Sequence, residues 1–126
     1  NLIKKYKMEN KAKCLGLIKN PYSIFKISNM FVLSSRYEGF GNVIVEAMYS
    51  GIQIVCTNCP GGPKEILNNG RYGYLAKNEN VKSLYNNMIK SYYNPKKYDV
   101  KNIIKKYSAK NISKKYYSLF TKKNIN

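Results

Sequence analysis

Met30-Phe31-Val32-Leu33-Ser34, then Val43-Ile44-Val45-Glu46-Ala47-Met48-Tyr49-Ser50, then Ile52-Gln53-Ile54-Val55-Cys56-Thr57 read as strand, helix and strand in one short stretch. The first run is continuously apolar and of strand length, which suits a strand covered on both faces. The second is helical and is stopped by Gly51, and the third is another buried strand. Downstream, Pro60-Gly61-Gly62-Pro63 is an obligatory loop. Glu65-Ile66-Leu67 then gives a short helix and Arg71 to Ala76 a last short strand. Upstream, Ala12 to Leu17 is an apolar-leaning, strand-like run that meets a bend at Gly16. Asn20-Pro21 supplies a cap and a first-turn proline for a helix continued by Tyr22, Phe25, Ile27 and Ser28. From about Asn80 the pattern is helical, broken near Asn94-Pro95.

Strands alternating with helices over such short connections predict an α/β fold, a Rossmann-like parallel sheet flanked by helices with a helical C-terminal tail. Parallel strands need right-handed crossovers, so the loops leaving their C-terminal ends gather on one edge. Those loops are Gly16 to Asn20, Ser35 to Asn42 and Asn58 to Glu65. Open sheets of this kind bind ligands at that edge.

The 126 residues are enough for one domain with a real core. The inventory excludes much chemistry. With no His there is no Ser-His-Asp triad, no Cys-His pair and no His-ligated zinc. Asp99 is the only aspartate, so paired-aspartate metal sites are excluded. Acid–base work falls to Glu9, Glu38, Glu46, Glu65 and Glu79, or to Lys, Tyr and Cys. The three cysteines, Cys14, Cys56 and Cys59, are an odd number, which favours a reducing compartment over a disulfide-stapled secreted domain. No apolar run approaches the roughly 18 residues that span a bilayer. The opening Asn1-Leu2-Ile3-Lys4-Lys5-Tyr6-Lys7 reads like the inside of a charged helix, so a longer parent polypeptide is expected.

Acidic residues are scarce, which makes their placement informative. Glu38 and Glu46 bracket Gly39-Phe40-Gly41-Asn42-Val43-Ile44-Val45. Gly39 and Gly41 let the backbone reach positive φ and approach a ligand closely. The helix opening near Asn42-Val43 leaves amides without intrahelical partners, a receptor for phosphate or pyrophosphate. Glu46, about one turn further in, can offer two oxygens to a ribose diol, with Glu38 at the sugar end of the same ligand. From spacing alone the plainer reading stands beside this one: a first-turn glutamate stabilised by the helix dipole, and ordinary turn glycines.

Phe31-Val32-Leu33-Ser34-Ser35-Arg36-Tyr37-Glu38-Gly39-Phe40-Gly41-Asn42-Val43-Ile44-Val45-Glu46-Ala47-Met48 resembles the signature of retaining glycosyltransferase family 4. Gly51-Ile52-Gln53-Ile54-Val55, Gly62-Pro63-Lys64-Glu65-Ile66-Leu67 and Gly73-Tyr74-Leu75 follow in that family's order. Leu15-Gly16-Leu17-Ile18 is similar to its preceding loop, so the resemblance runs from about Cys14 to Leu75. It implies the C-terminal, donor-binding half of a GT-B enzyme. Residues 1–93 would then be a nucleotide-sugar-binding Rossmann-like domain, incomplete at its N-terminus, and residues 94–126 a basic helical tail. By this resemblance Glu46 holds the donor ribose and Glu38, the candidate catalytic residue, contacts or orients the sugar. Gly39 belongs to the same loop, and Phe40, Gly41 and Asn42 offer main-chain donors to sugar and phosphates. Val43 and Ile44 lie beside the pyrophosphate or ribose, and Leu17-Ile18 flank the base.

The implied substrate is a nucleotide sugar, uridine-linked by expectation, with no cofactor and no metal. The sugar transferred would be a hexose or N-acetylhexosamine, passed to a glycan or lipid-linked acceptor. The resemblance implies that the acceptor site and catalytic base belong to an N-terminal domain that this chain does not contain, and that the Arg and Lys that neutralise the donor diphosphate precede the point where this sequence begins. The chain alone is therefore expected to bind donor weakly and transfer nothing.

A formal charge of +17 invites a different class, a non-catalytic basic module for nucleic acid or an anionic membrane. The lysines are spread over every segment, however, and Arg occurs only at Arg36 and Arg71. An AT-rich coding bias explains the lysines, asparagines and tyrosines together, and nucleic acid is not expected as a partner. The tail from Lys82 holds 12 Lys against one Asp. Ile103, Ile104, Tyr107, Ile112, Tyr116, Leu119 and Phe120 form a stripe along it. Such a stripe either packs on the sheet or on the absent domain, or lies on an anionic leaflet. The expected location is cytoplasmic, with peripheral contact at the inner membrane face as the alternative. Cys56-Thr57-Asn58-Cys59 ends a strand rather than opening a helix, so both thiols are expected to be incidental, Cys56 facing the core.

Overall fold

A computed structural model describes residues 2–122. The elements are α1 (Leu2–Lys5), α2 (Tyr22–Lys26), β1 (Met30–Leu33), α3 (Asn42–Tyr49), β2 (Gln53–Thr57), α4 (Pro63–Ile66) and β3 (Tyr74–Ala76). The helices α5 (Val81–Tyr93), α6 (Val100–Tyr107) and α7 (Ala109–Lys122) follow. The three strands are parallel in the order β1-β2-β3, with Val32 opposite Val55 and Cys56 opposite Leu75. In this register Leu33 pairs with Cys56 and Thr57 with Ala76, so all three strands end on one edge.

The core follows from the apolar spacing. On α3, Ile44, Ala47 and Met48 recur at helical intervals and are fully buried. They meet Ile54 and Cys56 of β2 and Ile66 and Leu67 around α4. The central strand β2 is the most protected element, with Ile54, Val55 and Cys56 fully buried. β1 departs from the expectation of cover on both faces: all four of its residues stay partly exposed. It is the outer strand of the described sheet and has one strand neighbour.

Other departures are local. Ala12 to Leu17 forms no strand, and its apolar side chains find nothing to bury against: Leu17 is 98% exposed. The helix from Tyr22 ends at Lys26, with Ile27 as its C-cap. Asn20 does cap its start, accepting a hydrogen bond from Tyr22 N at 3.1 Å. α4 begins at Pro63, because a proline pre-set for the first helical position needs no amide donor there. β3 is only three residues long. Asn68, Asn69 and Gly70 adopt positive φ, and Tyr72 N donates back to Leu67 O at 3.1 Å, which holds residues 71–72 in a turn.

Beyond Asn80 there are two breaks rather than one. Asn80 caps α5 through Ser83 N (2.7 Å) and Asp99 caps α6 through Lys101 N (2.9 Å). Ser108 then turns extended and its hydroxyl accepts from Asn111 N (3.3 Å), which separates α6 from α7. Residues after 94 join the same core as the sheet. Ile103 is 2% exposed within the central cluster, and Tyr98 Oη donates to Ile52 O at 2.6 Å. The far end of the stripe, Tyr116, Leu119 and Phe120, remains exposed. No helix among the described residues is long and apolar enough to cross a membrane.

Candidate functional site

The connection between β1 and α3 is built by glycine. Gly41, at φ +88°, turns the chain into α3, and a Cβ there would lie 3.0 Å from Ile44 Cδ1. No side chain caps this helix start. Ile44 N donates to Gly41 O at 2.9 Å, and the first amides of an α-helix have no partner within it. The helix dipole adds positive potential there.

A second loop, after β2, presses backbone against backbone on the first. A Cβ on Gly61 would fall 1.9 Å from Glu38 O, and one on Gly62 would fall 1.8 Å from Phe40 O. Gly62 N donates to Gly39 O (3.0 Å) and Glu38 N to Pro60 O (3.2 Å). Only glycine permits that approach, so the two loops form one double-layered rim. Within it, Ser35 Oγ donates to Glu38 Oε1 at 2.6 Å, and the Thr57 hydroxyl donates to Ser35 O. After β3, Asn78 Nδ2 donates to Arg36 O (3.0 Å) and Glu79 pairs with Arg36 at 3.3 Å, an exposed contact of little energetic weight.

Glu46 lines a cleft of about 670 Å³ beside this rim. Asn42, Glu46 and Tyr49 reach it from α3, Phe40 from the rim and Tyr22 from α2. Tyr107 and Tyr116 close it from α6 and α7, with Tyr107 stacked edge-on against Phe40 at 5.6 Å between ring centroids. Burial raises the Tyr49 hydroxyl above its usual range, reinforced by Tyr22 and Tyr107 nearby. A carboxylate between aromatic walls can accept from a diol while the rings cover a flat base or a sugar face.

The structure thus brings Phe40, Asn42 and Glu46 to one cavity. Glu38 is half-buried in the rim and is not among that cavity's lining residues. Gly39 is exposed, Gly41 buried and Val43 half-buried. Ile44 is fully buried, with its side chain under Gly41, and so faces the core rather than a ligand. Leu17 and Ile18 lie outside the cleft lining. Sequence reasoning missed Ser35, Thr57 and the four tyrosines. Pro60-Gly61-Gly62-Pro63 carried a signal of close backbone approach, but nothing in the sequence named the loop it approaches.

Cys56 is fully buried and Cys59 nearly so. Burial pushes the Cys56 thiol up to about 12, with smaller upward pushes from Cys59 and Glu38 against a lowering hydrogen bond at Leu33. Among the described residues, no three or more His, Cys, Asp or Glu side chains gather as a metal ion would require.

Known proteins share this chain's sequence pattern and fold. The family model described as "Glycosyl transferases group 1" matches residues 1–121. An uncharacterized glycosyltransferase of Methanocaldococcus jannaschii is 42% identical over 66 residues, which cover 52% of this chain and 16% of that protein. The N-acetylgalactosamine-N,N'-diacetylbacillosaminyl-diphospho-undecaprenol 4-alpha-N-acetylgalactosaminyltransferase of Campylobacter jejuni is 32% identical over 84 residues, 67% of this chain and 23% of that one. The chain thus spans less than a quarter of either relative's length. Among solved structures, a glycosyltransferase of Rickettsia africae superposes with a TM-score of 0.81 at 21% identity, over 99% of this chain and 35% of that one. HepE of Anabaena, crystallised in complex with UDP, superposes at 0.70 and 23% identity, over 92% of this chain and 35% of that one. The fold, a parallel three-stranded sheet flanked by helices, is that of the C-terminal domain of GT-B glycosyltransferases.

Proposed function

The chain belongs to the group 1 glycosyl transferases, and from that premise we propose that it is the donor-binding half of a retaining enzyme of family 4 type, using a uridine-linked hexose or N-acetylhexosamine. The observation that carries this reading is the meeting, at one strand-end edge, of the uncapped start of α3 with the Glu46 cleft. The amides opening α3 would take the diphosphate, and Glu46 would accept both ribose hydroxyls. The aromatic rings around Glu46 would exclude water from the nucleoside. Glu38, across the rim, would orient the sugar, and positioning with electrostatic stabilisation of the leaving diphosphate would supply the catalysis. The bond from the anomeric carbon to phosphate breaks as the bond to an acceptor oxygen forms. The acceptor and its base would come from an N-terminal domain, and no metal or cofactor is required. The donor and that domain are the proposed partners, and the cytoplasm the proposed location.

The test is calorimetric titration of UDP into the natural full-length polypeptide carrying this chain. Glu46→Ala should weaken binding by about 1.5–3 kcal/mol through the lost diol hydrogen bonds. Equal affinity in variant and parent would remove the ribose role.

The helices α6 and α7 favour a second reading beside the first, peripheral contact with an anionic leaflet. Lys105, Lys106, Lys114 and Lys115 line a groove of about 490 Å³ between them. Sedimentation with phosphatidylglycerol vesicles that fades with added salt would support it, and binding unchanged by salt would refute it.

A further inference from the structure

We propose that Ser35 is a positioning residue for Glu38, its hydroxyl aiming the carboxylate from a loop that Thr57 fixes to the sheet. The inference rests on the reading of Glu38 as the group that meets the donor sugar, and it adds what holds that group in place. A glutamate side chain has several rotatable bonds, and its freedom must be lost before the carboxylate can orient a ligand. Ser35 Oγ donates to Glu38 Oε1 at 2.6 Å, within the range of a well-formed O–H···O hydrogen bond. That bond engages one oxygen, so the other can accept from a sugar hydroxyl.

The backbone around it is restrained separately. Ser35 O receives the hydroxyl of Thr57, which is 4% exposed at the end of the central strand. Glu38 N donates to Pro60 O at 3.2 Å, and Gly61 lies against the Glu38 carbonyl. Both ends of the segment 35–38 are therefore tied through their own main-chain atoms, Ser35 O to the Thr57 hydroxyl of β2 and Glu38 N to Pro60 O of the following loop. The remaining freedom is in the Glu38 torsions, and the Ser35 hydroxyl is the group that restrains them. Because the Thr57 bond uses the carbonyl of Ser35, replacing the side chain leaves that anchor in place. The positioning role is thus separable from a role in holding the loop.

The experiment measures, in the natural full-length polypeptide, calorimetric affinities for UDP and for whichever of UDP-glucose, UDP-galactose and UDP-N-acetylglucosamine binds the parent most tightly. Ser35→Ala is expected to weaken the UDP-sugar by about five- to tenfold, the scale of one side chain left to be ordered on binding, and to leave UDP unchanged. Ser35→Thr, which keeps the hydroxyl, should restore the parent value. If Ser35→Ala does not fold, Ser35→Cys, with its weak donor, gives the same comparison. Equal weakening of UDP and UDP-sugar would show a loop-holding role and overturn the inference. An unchanged Ser35→Ala beside a weakened Glu38→Ala would overturn the inference alone. A Glu38→Ala protein with both affinities unchanged would overturn the reading of Glu38, and this inference with it.

Discussion

Replacing Gly62 by Ala isolates the close approach of the two rim loops from every other reason for a glycine. Gly62 has φ −72° and ψ −21°, an ordinary helical conformation in which alanine carries no backbone strain. The added methyl, however, would sit 1.8 Å from Phe40 O and 2.6 Å from Phe40 C. An ordinary carbon–oxygen contact is about 3.3 Å, so the loops must part by about 1.5 Å. Such a movement breaks the Gly62 N to Gly39 O bond and stretches that from Glu38 N to Pro60 O. Overpacking at about 1–3 kcal/mol and a lost hydrogen bond at about 1 kcal/mol together give a destabilisation of about 2–4 kcal/mol. In a chain of this size that lowers the melting temperature by roughly 8–16 °C. The assay is urea and thermal unfolding followed by circular dichroism. The control is Gly51→Ala: Gly51 has φ +74° and an added methyl there would meet nothing within 4 Å, so only left-handed strain of about 1–2 kcal/mol applies. A Gly62→Ala chain as stable as the parent, or no less stable than Gly51→Ala, would refute the account of the rim.

Ile103→Ala should cost about 2–5 kcal/mol by urea unfolding, because Ile103 fills the shared core, and a cost under about 0.5 kcal/mol would show that α6 is not part of that core. Iodoacetamide at pH 8 should label native Cys14 alone and all three cysteines after unfolding, since Cys56 and Cys59 are buried and Cys14 is exposed; native labelling of Cys56 would contradict its burial. Burial lifts the Tyr98 hydroxyl from 10.0 to about 12, so the unfolded chain ionises first and stability should fall as pH rises from 10 toward 12. Tyr98→Phe, which also loses the bond to Ile52 O, should be less stable at neutral pH and show a shallower alkaline decline; an identical decline would assign it to other groups.

How far the site was legible follows from the range of each interaction. Gly39, Gly41 and the two glutamates stand close together in the chain, and the turn into α3 depends on residues within one helical turn of it. The same locality made the Asn20 cap readable. The Ser35–Glu38 bond is equally short in sequence, yet any loop of that composition could leave both side chains in water. It forms because Thr57 and Pro60, from another strand and its loop, fix the backbone between them. The tyrosines of the Glu46 cleft were invisible for the same reason, since Tyr22, Tyr49, Tyr107 and Tyr116 converge from four separate helices.

Apolar periodicity, turn glycines and capping side chains are properties of neighbours along the chain. They determined the strand–helix–strand order, the parallel sheet and the edge at which its strands end. Packing decided the rest. Whether Ala12 to Leu17 paired, how short β3 became, and where α6 and α7 came to lie depended on surfaces that exist only once distant segments have met. The same holds for the rim, where Gly61 and Gly62 are informative only because Glu38 and Phe40 stand against them.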